Sequence, residues 1–120
     1  MTIHEIPPEQ WSAFLGDFRR RHAGWTATLE LHQPGRGTLV WADNRSFQDL
    51  LTESAACHRT ISVVLGSVAN TQLTHVVDDA TRLRVNQMES GADEDLEIDA
   101  ADGSLVVIHL HAPVRAQTAA

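Results

Sequence analysis

The sequence predicts an α+β domain that is mainly β: one N-terminal amphipathic helix packed on an antiparallel sheet of about six strands, curled into a small barrel-like or sandwich form. Three observations carry that prediction. Trp11, Phe14, Leu15 and Phe18 recur at the spacing of a single helix face. After Gly24 the hydrophobic period falls from that of a helix to that of a strand. Near the C-terminus, Leu96, Ile98 and Ala100 alternate with Asp95, Glu97 and Asp99, the chain turns at Ala101-Asp102-Gly103, and Val106, Ile108 and Leu110 alternate with Val107, His109 and His111. Alternation on both sides of an Asp-Gly turn is the strongest short-range hairpin signal.

The helix comes first. Pro7 and Pro8 suit its opening turn, where a missing N–H costs nothing, and Glu9 complements the positive end of its dipole. Gly24 stops it, and Arg19, Arg20, Arg21 and His22 place cations at its carbonyl end. The chain then reads as a hairpin: Trp25 to His32 alternates, Gln33-Pro34-Gly35-Arg36-Gly37 breaks the pattern, and Thr38 to Trp41 resumes it. Residues 43–58 leave helix and strand both open, because Phe47, Leu50 and Leu51 could belong to a short helical turn or to a strand fragment. Strands are predicted at Thr60–Leu65, Gln72–Val77 and Thr81–Met88, with a turn at Ser67–Asn70. In the third of these, Leu83 and Val85 face one way and Arg82, Arg84 and Asn86 the other. Residues 1–112 are expected to form one domain, with 113–120 a frayed tail of small and polar residues.

Composition narrows the function classes. With a net charge of -7, and with all nine cations arginine, the chain lacks the cationic footprint that nucleic acid requires. No apolar run is long enough to span a bilayer, the opening residues do not resemble a secretion signal, and the single cysteine, Cys57, cannot form an internal disulfide. These features predict a cytoplasmic protein without a membrane partner.

Three motifs carry a resemblance. Ile6-Pro7-Pro8-Glu9-Gln10-Trp11 opens the helix as "IPxxxW", Leu73-Thr74-His75 forms an "LTH" strand, and Gly91 to Gly103 reads "GADEDLEIDAADG" in an acidic hairpin. Together they resemble a small bacterial family built on a domain of unknown function, over nearly the whole chain. That family has a proline shortly after the "LTH" histidine, where this chain reads Val76-Val77-Asp78-Asp79-Ala80. The resemblance implies a shared fold and supplies no activity.

Chemistry, if present, rests on histidine, of which there are seven. His109 and His111 lie two apart on a strand, so both rings leave one face, at a spacing compatible with two ligands on a transition metal. A third ligand is needed, and His75 is the first candidate, with His32 and the adjacent Cys57 and His58 behind it. The acidic residues Asp93, Glu94, Asp95, Glu97 and Asp99 instead suggest a face that meets a protein partner. Their spacing lacks the oxygen-ligand pattern and central glycine of a calcium loop. Leu105 and Val107 share the face of His109 and His111, which makes the last strand apolar on both sides near its middle and predicts cover by a second subunit, a homodimer. Cys57-His58 is a poor nucleophile–base pair, since neighbours on a strand point apart. The reading is therefore a non-enzymatic binding or assembly module without a cofactor; the alternative is a metal-binding protein or metal-dependent enzyme using His109 and His111.

Overall fold

The computed structural model describes residues 2–55, 58–66, 72–88 and 93–112. The chain opens with strand β1 (Thr2–Ile6), which leads through a short 3-10 turn into helix α1 (Trp11–His22). Seven strands follow: β2 (Thr26–Gln33), β3 (Gly37–Ala55), β4 (His58–Gly66), β5 (Gln72–Val77), β6 (Ala80–Gln87), β7 (Asp93–Ala100) and β8 (Leu105–His111). All pairings are antiparallel, in the order β1-β6-β7-β8-β2-β3-β4-β5, and the sheet does not close among the described residues. The mainly β class and the helix-on-sheet arrangement are as predicted. The strand number among the described residues is eight rather than about six, and the sheet stays open rather than closing into a barrel.

β1 is the strand not expected from the sequence, and β3 differs in length. β1 is a five-residue strand paired only to β6, too short to show a period. β3 is 19 residues long and absorbs nearly all of the ambiguous stretch at 43–58. Its first half pairs with β2 and its second with β4, and register shifts interrupt both ladders. Asn44 adopts φ 52° at the shift in the β2 ladder between Ala42 and Arg45. A bulge inserts an unpaired residue and bends the strand, so the side-chain alternation slips out of phase where the chain passes from one pairing to the next. The predicted turn at Ser67–Asn70, the tail at 113–120 and Cys57 lie outside the described residues.

The helix starts and stops where the sequence places it. Gly24 takes φ 85°, a conformation that favours glycine. The segment after it is stitched to β3, with Gly24 N–H donating to Phe47 O and Phe47 N–H donating to Trp25 O at 2.7 Å. Trp11, Leu15 and Phe18 are buried in one hydrophobic cluster with Phe47, Leu83, Leu96 and Ile108 of the sheet. Each such side chain contributes about 1.5–3 kcal/mol on burial. Trp11 keeps its indole N–H satisfied by donating to Ile6 O at 2.9 Å, which ties the helix to β1.

Alternation sorts the last hairpin onto two faces. Leu96 and Ile98 of β7 and Val106, Ile108 and Leu110 of β8 point into the core; Asp95, Glu97 and Asp99 share the outer face with Val107 and His109. Val107 is only 7 % exposed there. Its register neighbours are Glu97 on β7 and Glu30 on β2, so the chain's own side chains shelter the apolar stretch that the sequence offers to a second subunit.

Candidate functional site

The start of β7 is where the ionisable residues gather. Asp93, Glu94 and Asp95 are consecutive, and each holds a different histidine. Asp93 lies opposite His111 in the β7–β8 register, with Oδ1 2.5 Å from Nδ1. Asp95 lies opposite His109, with Oδ1 2.8 Å from Nδ1. Glu94 points the other way, into the protein, and meets His22 from the last turn of α1 at 2.6 Å.

The His22–Glu94 contact is buried, at 1 % and 7 % exposure. His22 is fixed on every side. Its ring stacks on Phe18 at 4.0 Å and meets Trp25 edge-on at 4.5 Å. Its Nδ1 lies 2.8 Å from Phe18 O, and since a carbonyl can only accept, Nδ1 carries a hydrogen and donates it. Its Nε2 faces Glu94 Oε1, and Glu94 Oε2 accepts a further bond from Gln87 Nε2 at 3.2 Å. Oxygen atoms of Phe18 and Glu94 thus face both ring nitrogens. His22 and Glu94 line an open cleft of about 560 Å³, whose remaining walls are Arg21, Trp25, Gln87, Met88 and Asp93. Arg21 is turned toward Asp17, one helical turn back, at 2.8 Å.

On the outer face a second network runs across four strands. His109 Nε2 is 3.2 Å from Glu30 Oε1, and the same oxygen is 3.3 Å from His32 Nε2. His32 Nδ1 is in turn 2.9 Å from Thr38 Oγ1. Burial works against charge on His109, but the hydrogen bonds to Asp95 and Glu30, with their charges, outweigh it and hold its pKa above the ordinary value. The hydrogen bond from His109 holds the Glu30 carboxyl below its ordinary value, with a smaller contribution from His32. Further along β7, Arg84 bridges Glu97 at 3.1 Å and Asp99 at 2.8 Å.

His109 and His111 do leave one face of β8, as the sequence predicts, but each is engaged by its own carboxylate. His75 stands on β5, four strands along the sheet from β8, packed edge-on against Trp41 at 5.0 Å, where burial pushes its pKa down. The three are not brought together. Among the described residues no three histidine, cysteine, aspartate or glutamate side chains are grouped to hold a metal ion. Of the acidic set, Asp93, Asp95, Glu97 and Asp99 share the outer face, each beside a base of the same chain, whereas Glu94 is turned inward and is not part of that face.

The sequence reading missed the His22–Glu94 pair, although it left a trace. His22 follows Phe18 by four residues, which puts it on the apolar stripe of the helix, and Glu94 is in phase with Leu96 and Ile98 on the inward side of β7. Two ionisable residues at positions that patterning reserves for apolar ones are the signal.

Comparison with known proteins agrees with the resemblance to a domain of unknown function. The family described as "Family of unknown function (DUF5335)" matches residues 2–119. No curated protein and no solved structure matches the chain. Among the described residues, no helix is long and apolar enough to cross a membrane.

Proposed function

Because the chain belongs to the DUF5335 family, whose description carries no activity, we propose a function from the site itself: a non-enzymatic binding module that takes a small ligand, or a side chain of a partner, in the cleft beside His22 and Glu94. The observation that carries the reading is a fully buried, hydrogen-bonded acid–histidine pair on the wall of an open cleft rather than sealed in the core. A concave site with an apolar wall and a few fixed polar groups is the usual form of a ligand site.

The chemistry of the lining supports binding over catalysis. A general base needs an open nitrogen or oxygen within reach of a substrate proton, and both nitrogens of His22 are occupied. The described lining residues include no serine, threonine, cysteine or lysine to act as a nucleophile. Trp25 and Met88 offer a flat and a deformable apolar surface. Gln87 and Asp93 offer polar groups at the rim. A ligand with a planar apolar body and one hydrogen-bonding head matches that set.

The test is amide-resonance mapping with a panel of aromatic amides and N-acetyl amino-acid amides. The expected outcome is a cluster of perturbed resonances at Arg21, Trp25, Gln87, Met88 and Glu94, weakened about tenfold or more in Trp25→Ala, as befits loss of an aromatic anchor. Perturbations spread evenly over the chain, or none at millimolar probe, would sink the reading.

Self-association is the second reading, and one observation favours it: Leu39 and Val40 of β3 stand adjacent and more than half exposed. A monomer mass across the accessible concentration range in sedimentation would retire it.

A further inference from the structure

We infer that the three acid–histidine pairs at the start of β7 form a proton-dependent clamp, which fastens the β7 wall of the cleft while the histidines are protonated and releases it when they are not. The inference rests on the cleft reading only for its functional consequence. The clamp itself is a property of the unliganded chain.

The three histidines come from two elements, His109 and His111 from β8 and His22 from α1. Asp93 and Asp95 are tied to β8 through His111 and His109 on the outer face, while Glu94 is tied to α1 through His22 on the inner face. The first three residues of the strand are thus held from both sides, by two different elements. Asp93 and Glu94 are also cleft residues, so whatever loosens these contacts moves the wall of the site.

Hydrogen counting then shows what holds the clamp shut. His22 sits between Phe18 O and Glu94, and His109 sits between Asp95 and Glu30. Carbonyls and carboxylates only accept, so each ring satisfies both neighbours only when both of its nitrogens carry hydrogen. Removing one proton from either ring leaves a nitrogen lone pair facing an acceptor about 3 Å away, an unmade hydrogen bond in a partly or wholly desolvated place. His111 meets Asp93 through Nδ1.

The charged groups that face the three histidines lie on α1, β7 and β2. Around His22 they are Arg21 and Asp17 on α1, which pair with each other, and Glu94 on β7; Gln87 on β6 is neutral. Around His109 they are Asp95 on β7 and Glu30 on β2, the latter shared with His32. His111 faces Asp93 on β7 and, across β2, the neutral Thr26. The second half of β7 is held differently: Glu97 and Asp99 are bridged by Arg84, which stays charged throughout the histidine range. The strand therefore loosens from its cleft end and stays anchored at the other.

That polarity makes the test internal to one strand. Hydrogen exchange of the β7 amides is followed in the full, unliganded chain between about pH 6 and about pH 8, corrected for intrinsic rates, together with the ring C–H resonances of the histidines. The expected result is that protection at Glu94–Leu96 falls about tenfold relative to Glu97–Asp99 as the histidines lose their protons. In Asp95→Asn and Glu94→Gln, where the acceptor remains but its charge does not, the two halves should change together. Equal change in both halves of native β7 overturns the clamp. If Glu94→Gln fails to fold, the native comparison and Asp95→Asn still decide. Because no ligand is present, the clamp can fail while the probe panel still maps to the cleft, and the reverse.

Discussion

Glu94 occupies a position where strand alternation calls for an apolar side chain, and His22 does the same on the helix. Burying two ionisable groups is favourable only when each satisfies the other, so the pair is more sensitive to losing one member than to losing both. His22→Ala or Glu94→Ala is expected to destabilise the chain by about 3–5 kcal/mol, because the partner is left buried without its bond. The double replacement His22→Leu with Glu94→Leu should recover most of that loss. Denaturant unfolding of the three variants checks the pattern, and equal losses in the single and double variants would contradict it.

Among the elements, the bent β3 approaches β4 closely at Gly66. A Cβ at Gly66 would lie 2.7 Å from Ser46 Oγ and 2.9 Å from Gln48 Nε2. Gly66→Ala should therefore cost about 1–3 kcal/mol by overpacking, read as a lower unfolding midpoint. At the β7–β8 turn, Gly103 has φ 89° and a Cβ there would come within 3.0 Å of Pro34 Cγ. Gly103→Ala is expected to destabilise by about 1 kcal/mol or more, and Gly103→Asn by less, since asparagine tolerates the left-handed region better. The elements also divide by how clearly the sequence announces them. Despite apolar runs in β4 and β8, α1, β2, β4 and the β7–β8 hairpin keep enough of their period to lie close to their expected bounds. β3 does not, because its bulges insert residues that shift the alternation out of phase. β1 is five residues at a sheet edge, with too few side chains to display a period.

At the scale of the whole molecule, the outer-face network sets a pH window for stability. His109 has a raised pKa in the folded chain, so its contribution is complete below the ordinary histidine value of 6.5 and is lost as pH rises through the raised one. Glu30 has a lowered pKa, so its contribution is present above 4.5 and is lost as pH falls through the folded value. The pair together contributes most between those two values. Thermal unfolding as a function of pH should show a fall on the alkaline side that Glu30→Gln reduces; an unchanged alkaline limb in that variant would remove His109 and Glu30 as its cause.

By itself the sequence determined the class, the helix and its buried face, the last hairpin with its turn, and the fact that His109 and His111 share a face. Each follows from periodicity or local turn chemistry, which act over a few residues and are written directly in their order. Tertiary structure alone decided which acid each histidine meets. Glu30 and His109 are 79 residues apart and His22 and Glu94 are 72 apart, joined only because β8 lies beside β2 and the helix crosses the start of β7. Strand order and register bring such groups together, and neither is legible from local pattern, because the same alternation is compatible with many pairings.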